Sequence, residues 1–108
     1  MKQVRDENWI EHIYQLVRLI PKGKVCTYGI IAEFAGARLT ARMVGWAMNA
    51  SHTAKPKVPA HRVVNRNGLL TGKHHFATPT RMQELLQAEG VNVENDQIID
   101  FKKHLWRP

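Results

Sequence analysis

The sequence is poor in the residues that staple a chain, anchor it or do covalent chemistry. One cysteine in 108 residues allows no internal disulfide and suits a reducing compartment. No apolar run approaches the roughly 20 residues that cross a bilayer, and no signal-peptide pattern opens the chain. Together these absences predict a cytoplasmic protein with no membrane partner. His61, His74 and His75 have no cysteine or carboxylate at a recognisable ligand spacing, so neither a metal site nor another cofactor is expected. Acidic residues are scarce where basic ones are dense. Residues 21–75 carry nine Lys or Arg against Glu33 alone, a net +8. Residues 1–20 sum to zero and residues 76–108 to −1, so the middle holds the whole excess of a chain whose net charge is +7. Such a footprint fits a polyanion, most simply a nucleic-acid backbone. A solvated basic surface with no partner has the same composition.

The length predicts one domain over residues 1–108 with a modest core. Ile10, Ile13, Tyr14, Val17 and Ile20 form one stripe of an amphipathic helix from Asp6 to Ile20, with Asp6 or Asn8 as its cap. Thr27 caps a second helix that Gly36 stops, and Thr40 caps a third running from Ala41 to about Asn49. Two short helices around a tight turn make a helix-turn-helix candidate, although such pairs also occur as plain scaffold. In the third helix Ala41 and Gly45 share a face and leave a bare strip, with Val44 and Met48 on an inward face. Gly45 costs such a helix about 1 kcal/mol relative to alanine. Close approach to a groove, or to another helix, is what offsets that cost. Val63-Val64, Asn67-Gly68 and Leu69-Leu70 read as a hairpin, Thr78-Pro79 as the start of a helix ending at Gly90, and Asn95-Asp96 as a turn.

Pro59-Ala60-His61-Arg62-Val63 is a stiff turn entering an apolar run. Nucleophilic catalysis needs a thiol, hydroxyl or amine beside a base, and Ala60 supplies none. Cys26, between Val25 and Thr27, reads as an inert core thiol. His61 with a carboxylate partner is a possible water-activating pair, or simply a structural hydrogen bond.

Three motifs in register carry a resemblance over about residues 20–90: Lys24-Val25-x-Thr27-Tyr28-Gly29, Arg42-x-Val44-Gly45-x-Ala47-Met48 and Pro59-x-His61-Arg62-Val63. The chain resembles the O6-alkylguanine-DNA alkyltransferases, whose acceptor cysteine stands where this sequence has Ala60, and so is similar to their alkyltransferase-like branch. The resemblance implies a mainly α, winged-helix-like helix-turn-helix fold with small β-hairpins. It implies a monomer that binds O6-alkylguanine in double-stranded DNA through the minor groove. The base is flipped into a pocket without dealkylation, and the site is marked for nucleotide excision repair proteins. It implies roles too. Tyr28 helps rotate the target nucleotide, and Arg42 fills the vacated stack. Thr40, Ala41 and Gly45 meet the groove, and Ala60, His61, Arg62, Val63, Lys73 and His74 form the lesion pocket. Glu89 supports the pocket through His61. Ile30 departs from the glutamate common after Tyr-Gly, and Met43 and Trp46 are bulkier than the family's usual residues. Residual alkyl transfer, hydrolysis, or operator binding by a transcription regulator are the competing readings. A helix poor in base-reading side chains speaks against the last.

Overall fold

The computed structural model describes residues 8–108. Its first helix, α1 (Trp9–Arg18), buries Ile13, Tyr14 and Val17, and Ile20 is buried just beyond the helix end. The stripe reads as expected except at Ile10, which is 36% exposed. Asn8 holds the N-cap position without a side-chain cap bond, and Asp6 lies outside the described residues. Strand β1 (Cys26–Thr27) follows, then α2 (Tyr28–Ala35) and α3 (Ala41–Asn49). Both predicted caps are formed. Thr27 Oγ1 accepts from the Ile30 N–H at 3.1 Å, and Thr40 Oγ1 from the Met43 N–H at 3.2 Å. Each satisfies a backbone donor that a helix start leaves without an internal partner.

Helices α1, α2 and α3 pack on one another around Ile13, Val17, Ile31, Val44 and Ala47. The Tyr14 hydroxyl donates to the Ala47 carbonyl at 3.1 Å, pinning the middle of α3 to α1. A second cluster, including Val25, Val64, Leu70, Met82, Leu86 and Val91, lies under α4 (Arg81–Ala88). Strand β2 (Val63–Val64) spans the two clusters, with Val63 in the first and Val64 in the second.

The expected hairpin from Val63 to Leu70 is not formed. Strand β2 pairs in parallel with β1, Cys26 opposite Val63 and Thr27 opposite Val64. The turn itself exists: Asn65 Oδ1 accepts from the N–H groups of Asn67 and Leu69, and Gly68 adopts φ +78°. Leu69 then bridges Gln97. Burial explains the change of partner. Val63 and Val64 are both fully enclosed, which a two-stranded hairpin at the surface cannot provide. A true hairpin comes later, β3 (Val93–Glu94) against β4 (Gln97–Ile98), turned by Asn95 and Asp96 at φ 53° and 62°. Two positive φ values match the handedness such tight hairpins require.

Helix α4 begins two residues later than expected. Thr80 takes the N-cap place, and its hydroxyl donates to Glu84 Oε2 at 2.8 Å instead of capping the backbone. Thr78 and Pro79 lie in the lead-in. Helix α5 (Phe101–His104) completes the fold, and the chain after it binds Val25: the Trp106 N–H donates to the Val25 carbonyl at 2.8 Å, and the Val25 N–H to the His104 carbonyl at 2.9 Å.

Gly68 has both a left-handed backbone and a tight neighbour, since a Cβ there stands 2.9 Å from Phe101 Cγ. Gly68→Ala therefore destabilises the protein by about 2 kcal/mol. Urea unfolding at constant m-value reads the loss.

Candidate nucleic-acid interface and pocket

The second helix of the pair presents its start to solvent. Thr40, Ala41 and Arg42 are exposed, Val44, Ala47 and Met48 face the core, and Gly45 is half-buried. A Cβ built at Gly45 meets nothing within 4 Å, so helix packing does not require glycine there. Among the described residues no carboxylate lies within ion-pair distance of Arg42. The result is a bare helix face with an exposed, long, planar cation at its edge. Trp46, 55% exposed, stands one turn further along.

Behind α3 lies the Pro59–Val64 turn. Residues 60–62 form a single 3-10 turn, closed where the Val63 N–H donates to the Ala60 carbonyl. One carboxylate holds that turn. Glu89, the residue after α4, accepts from Arg62 Nε on Oε1 (2.9 Å) and from Arg62 Nη2 on Oε2 (2.7 Å). Oε2 also lies 2.8 Å from His61 Nε2. Arg62 Nη1 donates to the Ile20 carbonyl at 2.9 Å, tying the clamp to the end of α1. Burial alone raises the Glu89 carboxyl. The hydrogen bonds and charge of Arg62, with the His61 bond, outweigh it and hold the carboxyl at about 2. His61 is moved down by burial, which the Glu89 carboxylate only partly offsets, so its ring is neutral at pH 7. An ionised carboxylate only accepts, so His61 Nε2 carries the proton it shares with Glu89.

Ala60 lines two cavities. The narrow one, about 10 Å³, is walled by Tyr28, Met48, Asn49, His52, Ala60, Gly72, His75, Phe76 and Met82. It has room for about one water, so a larger guest enters only when the walls part. A Cβ at Gly72 falls 2.8 Å from the Tyr28 hydroxyl, which shows how closely the 72–76 segment covers it. Burial raises the Tyr28 phenol, the Thr71 hydroxyl offsetting this in part, and the ring keeps its proton at neutral pH. A larger cavity of about 570 Å³ opens on the other side, between α1, the 51–62 segment and α4. His52 and Phe76, edge to face at 4.8 Å, line both.

Tyr28 and Ala60 thus share one cavity, and His61 and Arg62 share the other with Ala60. Val63, Lys73 and His74 line neither; Val63 is fully buried in β2, Lys73 Nζ is 2.6 Å from Asp96 Oδ2 at the β3–β4 turn, and His74 is exposed. His52, His75 and Phe76 escaped the sequence reading, because nothing in a polar loop marks which side chain turns inward. Arg62's grip on Glu89 escaped it too, although Arg62 follows His61 directly and Glu89 was already expected beside His61. Cys26 is fully buried in β1, and burial pushes its thiol up to about 11, far from a reactive thiolate.

Fold and site together define a helix-turn-helix DNA-binding domain with a pocket behind its second helix. The chain belongs to the family of the 6-O-methylguanine DNA methyltransferase DNA-binding domain, which matches residues 8–91. It is 34% identical to alkyltransferase-like protein 1 of Schizosaccharomyces pombe, covering 97% of this chain and all of that one. It is 36% identical to the DNA base-flipping protein of Escherichia coli K12, over 97% of this chain and 79% of that protein. Among solved structures, S. pombe Atl1 in complex with damaged DNA containing O6-carboxymethylguanine superposes with a TM-score of 0.81 at 33% identity, covering 97% of this chain and 100% of the other.

The clamp sets the pH dependence. A carboxyl held at about 2 when folded and near 4.5 when unfolded stabilises fully above pH 4.5, and that stability is lost as pH falls toward 2. Glu89→Gln leaves the Arg62 cation uncompensated and costs about 3 kcal/mol at pH 7. The gap between the two proteins narrows as the pH is lowered from 7 to roughly 3 in urea-unfolding series. A gap that stays constant over that range contradicts the clamp.

Proposed function

We propose that the protein recognises O6-alkylguanine in duplex DNA from the minor groove, draws the base out of the stack, and holds it without removing the alkyl group. The observation that carries this reading is Ala60. It occupies the position of the family's acceptor thiol inside a turn whose support is complete, with His61, Arg62 and Glu89 all engaged. Cys26 is no substitute, being enclosed in β1 with an unreactive thiol. A site with a braced pocket wall and no group to accept the substituent binds; it does not transfer.

Extruding a base costs a few kcal/mol, which contacts made only in the flipped state must offset. Arg42, exposed and among the described residues without a carboxylate partner, is the group to enter the vacated stack. Thr40, Ala41 and Gly45 let the α3 backbone approach the groove floor, and the helix starts and basic middle segment hold phosphates. Tyr28 guides the nucleotide toward the cavity it shares with Ala60. Val63, Lys73 and His74 complete the walls once the 72–76 segment yields and Lys73 leaves Asp96. The protein acts as a monomer on one lesion. A binder that leaves the lesion unchanged needs another activity to finish the repair, so the bound complex marks the site for nucleotide excision repair proteins. The chain is then found with the cytoplasmic nucleoid.

Matched duplexes with and without one O6-methylguanine, compared at fixed salt, test the reading. Wild type binds the damaged duplex more tightly, and intact-mass analysis shows no alkyl gain on the protein. Arg42→Ala lowers affinity for the lesion about tenfold and erodes the lesion-to-normal ratio. Tyr28→Phe weakens lesion binding less. Equal affinity of the wild type for both duplexes overturns the proposal, and preference for one undamaged sequence turns it into operator binding.

Gly45→Ala separates folding from DNA contact. Because open space surrounds that position, alanine raises helix stability by up to about 1 kcal/mol. The same methyl group weakens binding to both duplexes. Unfolding curves and binding isotherms moving in opposite directions are the expected result.

A further inference from the structure

The larger cavity beside Ala60 has a chemistry of its own. Its lining includes the cationic side chains Arg18, Lys57, Arg62 and Arg81, together with His52 and His61, and among the described residues no Asp or Glu. Its floor, from Val58, Pro59, Phe76 and Leu85, is apolar. Several of these cations are already paired. Arg18 Nη1 meets Glu11 at 3.0 Å and Nη2 donates to the Pro56 carbonyl at 2.9 Å, while Arg62 is held by Glu89. Arg81 lies only 3.8 Å from Glu84 and both are about half exposed, so that pair is loose. Among the described residues no carboxylate lies within ion-pair distance of Lys57.

The position of the cavity matters as much as its charge. Ala60, His52 and Phe76 are common to it and to the narrow cavity that holds Tyr28. On the lesion reading proposed above, a base seated against Tyr28 directs its O6 substituent toward Ala60, the residue common to both cavities. We infer that this cavity is the receptor for the distal end of the O6 substituent and selects adducts that end in an anion, a carboxylate above all. The apolar floor accommodates the connecting carbons. Lys57 and Arg81 meet the charge. The inference rests on the lesion reading proposed above and adds to it a preference among lesions.

Three duplexes of identical sequence carry the test: O6-carboxymethylguanine, its neutral carbamoylmethyl isostere, and O6-methylguanine. The carboxylate binds about fivefold more tightly than the amide at low salt, and the ratio shrinks as salt rises. Arg81→Gln and Lys57→Gln, singly and together, bring the ratio toward one. The ratio is the readout because a lost phosphate contact weakens both duplexes equally. Equal affinity for carboxylate and amide, both above undamaged DNA, overturns the anion preference and leaves lesion recognition standing. Failure of all three adducts to exceed undamaged DNA overturns the lesion reading and this inference with it. A carboxylate preference that survives the double substitution removes the cavity from the explanation and overturns its assignment as the receptor.

Discussion

The Glu89 carboxylate is the interaction on which the site depends. Two segments far apart in sequence meet at it, the Ala60–Arg62 turn and the end of α4, and Arg62 extends the clamp to the Ile20 carbonyl just beyond α1. Each arm is a hydrogen bond to a charged group in a largely dry setting, where such bonds are strongest and where losing one partner is most costly. The clamp sets where the turn sits relative to α1 and α4. The β1–β2 ladder sets where it sits relative to α2, because Cys26 and Thr27 pair with the two residues that follow the turn. Ala60 is therefore placed by its neighbours and not by its own side chain. The acceptor position keeps its location with a methyl group in place of any nucleophile.

This division of labour explains what was legible in the sequence. The caps at Thr27 and Thr40, the inward face of α3 and the turn at Asn95-Asp96 are local matters, decided within four residues by side-chain chemistry, and all are present. The pairing of Val63-Val64 with Cys26-Thr27 is not local. Periodicity shows that a short apolar run is extended, but not which strand lies beside it, and the nearby Asn67-Gly68 turn favoured the wrong neighbour. Ile10 belongs to the same helical stripe as Ile13 and Val17, yet among the described residues it stays 36% exposed. The cavities were the least legible part. His52 and Phe76 are 24 positions apart, and only the folded chain brings their rings edge to face.

Gly45 shows how structure decides between readings that composition leaves level. A glycine inside a helix is consistent with tight packing or with an approaching ligand. The space around its absent side chain is open, so no internal contact offsets the helix propensity it gives up. The compensation must come from outside the folded chain. Arg42 has the same character: a side chain with about 2 kcal/mol of rotamer entropy gains nothing from the rest of the protein among the described residues. Unused groups concentrated on one helix face, above a basic middle segment, are the mark of a surface whose energetics close only with a polyanion bound.

The narrow cavity sets the final constraint on how that bound state is reached. Space for about one water separates Tyr28 from Ala60 and the 72–76 segment, so the free protein has no vacancy of base size there. Opening it parts groups that are packed but not enclosed, with half-buried Gly72 near the Tyr28 hydroxyl and half-buried Phe76 against the exposed His52. The clamp lies outside this moving wall, because neither Arg62 nor Glu89 touches the narrow cavity. The rigid and the yielding sides of the pocket are thus different parts of the chain. In the proposed function, one side fixes where the O6 position of a base comes to rest, and the other gives way for the base to arrive. Selectivity among lesions, in that proposal, belongs to whatever lies beyond O6 in the larger cavity, which is already open in the free protein.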